Sequence, residues 1–169
     1  LIEKIIEKKP AIVKRWLDVL VETYPEDSRV FFKKETDQFA NPVGFTFSKE
    51  LESLVEYVVR GNLGEEASKG LDRIIRIRAV QDFSPSEAVK FVFQLKGIIR
   101  DVLGKRGSLE GFAGELELVD KNIDKAGLLA FDIYSMCRER IYELRVGEVR
   151  REVGRLLERA NLLCQAAQQ

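Results

Sequence analysis

The chain of 169 residues contains no histidine. This removes the commonest general base, the commonest zinc ligand and the usual proximal haem ligand at once. Neither a serine triad nor a Cys-His pair can be assembled. Carboxylate-bridged di-iron sites in helical bundles draw on Glu-x-x-His, so that reading falls as well. Cys137 and Cys164 are the only cysteines. Both lie in one helical pattern, roughly 40 Å apart at helical rise, and cannot pair within one straight helix. So sparse a use of cysteine suits a reducing, cytoplasmic setting. No metal site and no cofactor is expected.

Net charge is also absent, since 28 basic residues balance 28 acidic ones. Nucleic acid is therefore not expected as the main partner, because phosphate binding needs a positive excess or a clear basic patch. Arg73, Arg76 and Arg78 do cluster, but the basic residues of the last helical segment are mixed with acids. No apolar run approaches the ~18 residues of a membrane span. No signal-peptide pattern is visible; the chain opens on Leu1 rather than Met, which leaves room for upstream sequence. Period-two strand patterns and internal repeats are missing too. Gly61-Asn62-Leu63-Gly64 has no preceding strand and no following Lys-Ser/Thr, so it is a turn and not a phosphate loop. Only catalysis by carboxylates alone is left to an enzyme reading, and it is the weakest of those considered.

What the sequence does contain is a helical domain. With 45% hydrophobic and 33% charged residues, it can bury a core and is not disordered by composition. The best-marked helix start is at Ser84, an N-cap followed by Pro85 at the first helical position and Glu87 three residues on, a capping box. From Ala88 to Leu103 the apolar residues cover much of the circumference, with Phe91, Val92, Leu95, Ile98, Ile99 and Val102 as core, so this helix is expected to be central. Gly97 within it is read as a point of close helix approach. Upstream, Pro10 suits the first turn of a helix reaching Thr23 or Tyr24, which presents Ile12, Trp16, Val19 and Leu20. A short helix fits Ser28 to Lys34. Thr36 to Thr46 reads as a loop, and Ser48 as the cap of a helix through Arg60. The aromatic residues Phe31, Phe32, Phe39, Phe45 and Phe47 are candidates for a pocket wall.

From about Leu109 the pattern is helical almost to the end. Phe112, Leu116, Val119, Ile123, Ala126, Ala130, Ile133 and Cys137 form one stripe at 4-3 spacing. Val146, Val149, Val153, Leu156, Ala160 and Leu163 form a second stripe in another register. A change of register implies a change of partner: the domain's own core first, another surface afterwards. The second stripe has β-branched residues at two a positions and leucine at two d positions, which favours a two-stranded parallel coiled coil. The alternative is a segment that folds back as one more bundle helix. The expected division is a helical domain over 1–145 and a C-terminal helical extension over 146–169.

Arg78 and Asp82 share the apolar face of Leu71, Ile74 and Ile75, four residues apart, and can pair. One reading is a structural ion pair that fixes the corner at Phe83. The other is a polar anchor inside a pocket, where a guanidinium suits a carboxylate or phosphate ligand. Gln81 and Asn41 complete the candidate ligand-binding set.

The segment Arg76-Ile77-Arg78-Ala79-Val80-Gln81-Asp82-Phe83-Ser84-Pro85-Ser86-Glu87-Ala88, continued by Phe91-Val92-Phe93-Gln94-Leu95-Lys96, resembles the N-terminal domain of RsbRD-type RsbT co-antagonist proteins. Arg15-Trp16-Leu17 with Tyr24-Pro25, and Phe39-Ala40-Asn41-Pro42-Val43-Gly44, are similar to further marks of that family. The motifs cover Leu1 to Leu103, and the helical remainder agrees in character. The resemblance implies an input or sensor domain of the stressosome type, with a globin-like, non-haem fold and a tendency to dimerise. In related RsbR proteins a long helix leads into a STAS output domain. No STAS pattern or phosphorylated STAS residue occurs in these 169 residues, so antagonism of the switch kinase is not carried over.

The expected architecture is therefore an all-α, globin-like helical bundle, with an up-down four-helix bundle as alternative, and a long C-terminal helix. The expected function is a non-enzymatic regulatory input domain that forms a homodimer and contacts a further protein. The rival reading is a structural adaptor that docks on a larger complex without sensing.

Overall fold

The computed structural model describes residues 1–34, 37–81, 83–104 and 109–166, with backbone alone at 33–34, 110 and 162–166. Among these the secondary structure is helical: α1 (Ile2–Glu7), α2 (Lys9–Val21), α3 (Glu26–Lys34), α4 (Pro42–Arg60), α5 (Glu65–Ala79), α6 (Pro85–Leu103), a 3-10 turn (Glu110–Phe112) and α7 (Ala113–Ala166). The all-α class and the long C-terminal helix are as expected. By internal contacts the chain divides into two units, Leu1–Ser135 and Met136–Gln169.

In the first unit, α4 packs against α5 and α2, and α2 packs against α6. The apolar faces set by sequence period are the faces that are buried. Ile12, Trp16 and Leu20 of α2 meet the core stripe of α6, where Phe91, Val92, Leu95 and Ile99 are inaccessible or nearly so. Trp16 also donates its indole N–H to the Phe91 carbonyl at 2.7 Å, which satisfies the one polar atom of an otherwise apolar side chain. On α7 the stripe Val119, Ile123, Ala126, Ala130 and Ile133 is buried. Arg100 grips both carboxylate oxygens of Asp120, and Lys96 pairs with Asp124 at 2.6 Å, so α6 is tied to this part of α7 by ion pairs as well.

The caps explain where helices begin and end. The Ser84 hydroxyl accepts from Glu87 N at 3.3 Å, and the Glu87 carboxylate accepts from Ser84 N at 3.0 Å, so the expected capping box is formed. The expected start of α4 at Ser48 is corrected. Asn41 is the N-cap, accepting from Gly44 N at 2.8 Å, and Pro42 is the first helical residue. An Asx cap followed by proline is a strong start, and it shortens the presumed loop. Gly61, at φ 71°, closes α4 in the left-handed conformation that glycine adopts without strain.

The close helix approach expected at Gly97 is corrected. Gly97 is exposed, with nothing within 4 Å of where a β-carbon would stand, so it is not a point of close approach. The close approach is at Gly127 on α7, where the Phe93 ring of α6 lies against the backbone. Residue 97 falls on the outward side of α6, which its glycine content alone does not reveal.

Candidate functional site

Arg78 stands in the last turn of α5 and is fully buried. Its guanidinium donates Nε–H to the Ala88 carbonyl at 2.9 Å and Nη2–H to the Glu87 carbonyl at 2.8 Å. Nη1 reaches the Thr23 hydroxyl at 3.1 Å and the Leu20 carbonyl at 3.5 Å. The cation therefore clips the end of α2 and the start of α6 onto the end of α5. Aromatic faces complete its shell, with Phe83 at 4.3 Å, Tyr24 at 5.6 Å and Phe91 at 5.7 Å from the guanidinium carbon. Burial lowers its pKa, with the neighbouring Tyr24 and Glu87 acting in the opposite direction. Asp82, the expected ion-pair partner, lies outside the described residues.

Beside this clip is a cluster of rings. Tyr24 meets Phe32 edge-on at 5.2 Å and Phe83 edge-on at 5.4 Å, and Phe47 lies 6.1 Å from both Tyr24 and Phe32. Of the aromatic residues proposed as a pocket wall, Phe32 and Phe47 thus belong to one cluster. Phe39 does not, being 92% exposed. Tyr24 itself is 6% exposed, yet its hydroxyl makes no hydrogen bond of good geometry, although the Arg78 guanidinium and the Gln81 amide both lie beside it. The Gln81 amide oxygen is likewise buried and unpaired. Burial raises the Tyr24 pKa, and the charge of Arg78 counteracts part of that rise.

Asn41, the last of the candidate ligand-binding residues, is fully buried. Besides capping α4, its amide N–H groups reach the carbonyls of Phe31 at 3.3 Å and Phe32 at 3.2 Å. It therefore holds the C-terminal end of α3 to the N-terminus of α4. Tyr24 is the central residue that sequence reasoning placed only at the end of a helix. Its position before Pro25, at the end of an amphipathic helix, was visible, but its neighbours were not.

The second unit presents a different surface. Val146, Val149, Val153 and Leu156 are 49, 57, 48 and 64% exposed. Ala160 is also exposed, and the side chain of Leu163 lies outside the described residues. α7 runs without a break from Arg140 to Val146. Among the described residues no group of three or more His, Cys, Asp or Glu side chains is placed to hold a metal ion, and no helix is long and apolar enough to cross a membrane.

Comparison with the curated proteins gives no significant match, and neither does comparison with the solved structures. The family model described as "RsbT co-antagonist protein rsbRD N-terminal domain" matches residues 10–160. That span runs from the first turn of α2 into α7 and includes the Arg78 clip, the aromatic cluster and most of the exposed stripe. The chain belongs to the RsbT co-antagonist protein RsbRD N-terminal domain family, a family of regulatory input domains.

Proposed function

We propose that this protein is a cytoplasmic, non-enzymatic regulatory input domain that works as a homodimer, with residues 146–169 forming a parallel coiled coil and residues 1–145 the sensor-like part. The observation that carries this reading is the stripe Val146, Val149, Val153 and Leu156, about half or more exposed on an uninterrupted helix. Each such side chain gains about 1.5–3 kcal/mol on full burial. A 4-3 stripe with this spacing is buried along its whole length by a second copy in register. Flanking charges of both signs, Glu148, Glu152 and Glu158 with Arg150, Arg151 and Arg155, balance one another, so they keep the helix soluble when single and add no net charge when paired. Association with a further protein then follows from family membership, as the family name is that of a co-antagonist.

The adaptor reading uses the same stripe for a different protein. The two separate on mass in solution. The full chain is expected to sediment as a dimer, and a chain truncated after Val146 as a monomer. A full chain that stays monomeric at high concentration, or a truncated chain that stays fully dimeric, would remove the coiled coil from the proposal.

A further inference from the structure

The flanks of the exposed α7 stripe are balanced in total but not pair by pair. With Val146 and Val153 at a and Val149 and Leu156 at d, the g positions hold Arg145 and Glu152, and the e positions hold Arg150 and Leu157. In a parallel two-stranded coil each g residue faces the next e residue of the other strand. Glu152 then faces Leu157, which is 60% exposed and brings apolar surface without charge. Arg145 faces Arg150.

Both arginines are exposed and, among the described residues, neither takes part in an ion pair within the chain. The spacing gives the reason. The residues three and four places from Arg150 are Val146, Gly147, Val153 and Gly154, and none is acidic. Arg145 has Glu148 as its one acid at that spacing, and the two are not paired. Arg140, earlier on the same helix, shows the contrast, since it holds Glu143 at 3.0 Å. The charges of Arg145 and Arg150 are therefore uncompensated where two copies would meet.

We infer that Arg145 opposes Arg150 of the second copy on both flanks of the seam, and that this like-charge contact sets the strength and register of self-association. The inference rests on the coiled-coil reading above and deepens it. An apolar stripe alone leaves two strands free to slide by a heptad, and charges at e and g decide among the registers. Here the repelling pairs, one on each flank, leave the in-register dimer weaker than its stripe alone would make it. Self-association held below its full strength is graded with protein concentration.

Sedimentation equilibrium of the full chain and its variants at low salt reads the dimer dissociation constant. Arg145→Glu and Arg150→Glu are each expected to tighten the dimer about tenfold, because each turns both repelling pairs into attracting ones. The double variant Arg145→Glu/Arg150→Glu restores like charges and is expected to return to within about threefold of the parent. Arg151→Glu makes the same change of net charge at the outward f position and is expected to stay within about twofold of the parent. At about 1 M salt, where the Debye length is ~3 Å, the gains of the single variants are expected to shrink to about threefold or less. Circular dichroism checks that each variant keeps its helix content. Single variants no tighter than the parent, an Arg151→Glu variant as tight as they are, or effects that add in the double variant would overturn the facing arginines, while a dimeric parent leaves the coiled coil standing. A parent and single variants that are all monomeric at high concentration would overturn both.

Discussion

The Phe93 ring rests on the backbone of Gly127, so closely that a β-carbon there would stand 2.2 Å from Cζ of the ring. This contact seats α6 on α7 within the first unit, and it makes the effect of one substitution depend on another. Alone, Gly127→Ala gains about 1 kcal/mol of helix propensity but displaces Phe93, an overpacking cost of about 1–3 kcal/mol. The single variant is expected to be less stable than the parent. In a Phe93→Ala background, Gly127→Ala is expected to be stabilising, since only the propensity gain remains. Urea unfolding of the four proteins of this cycle measures the coupling, and additive effects would show that the ring moves aside freely.

Arg78→Ala is expected to lower stability by about 3 kcal/mol or more, because it removes charged donors from four acceptors and leaves a cavity under three rings. Arg78→Lys is expected to lose much of the same stability, since a single ammonium cannot reach α2 and α6 together. A midpoint of chemical denaturation equal to the parent's for either variant would contradict the role of a three-helix clip.

Glu87 gives a pH dependence with a definite sign. Hydrogen bonds from Ser84, side chain first and backbone second, hold its pKa below the ordinary carboxylate value. Its contribution is complete above the unfolded value, near pH 4.3, and is lost as pH falls through the lower folded value. Glu87→Gln is therefore expected to destabilise at pH 7 and to differ little from the parent near pH 2. The carboxylate is solvent-exposed, so added salt is expected to reduce the pH 7 difference. Thermal melts at both pH values test this; a difference that grows on acidification has the wrong sign.

Val149→Asp and Leu156→Asp each place a carboxylate in the proposed seam. Either is expected to convert the dimer to monomer while leaving the near-ultraviolet spectrum of Trp16 unchanged, because Trp16 is fully buried in the first unit. Analytical ultracentrifugation beside circular dichroism separates the two effects. A variant that remains dimeric with an unaltered spectrum would place the contact elsewhere.

Much of this protein is determined by local rules. The missing histidine, the absence of strand periodicity, the Ser84–Glu87 capping box and the two stripes of the last helix follow from composition and spacing alone, and the structure repeats the cap and buries the first stripe from Val119 to Ile133, while Phe112, Leu116 and Cys137 at its ends are half-buried. The start of α4 was equally local, but the proline in Asn41-Pro42 was read as loop rather than as the first helical residue.

The partners of Arg78 were decided only by the tertiary structure. Its position on an apolar face showed that it must be satisfied, and Asp82 was the neighbour within reach along the chain. The bonds that the structure describes go to Leu20 and Thr23 on one side and to Glu87 and Ala88 on the other. Those groups converge through the crossing of α2, α5 and α6, which no one helix encodes. The same holds for Gly97 and Gly127. Helical period assigns each residue to a face, but whether that face meets solvent or a ring depends on which helix lies across it, and close packing sets that collectively.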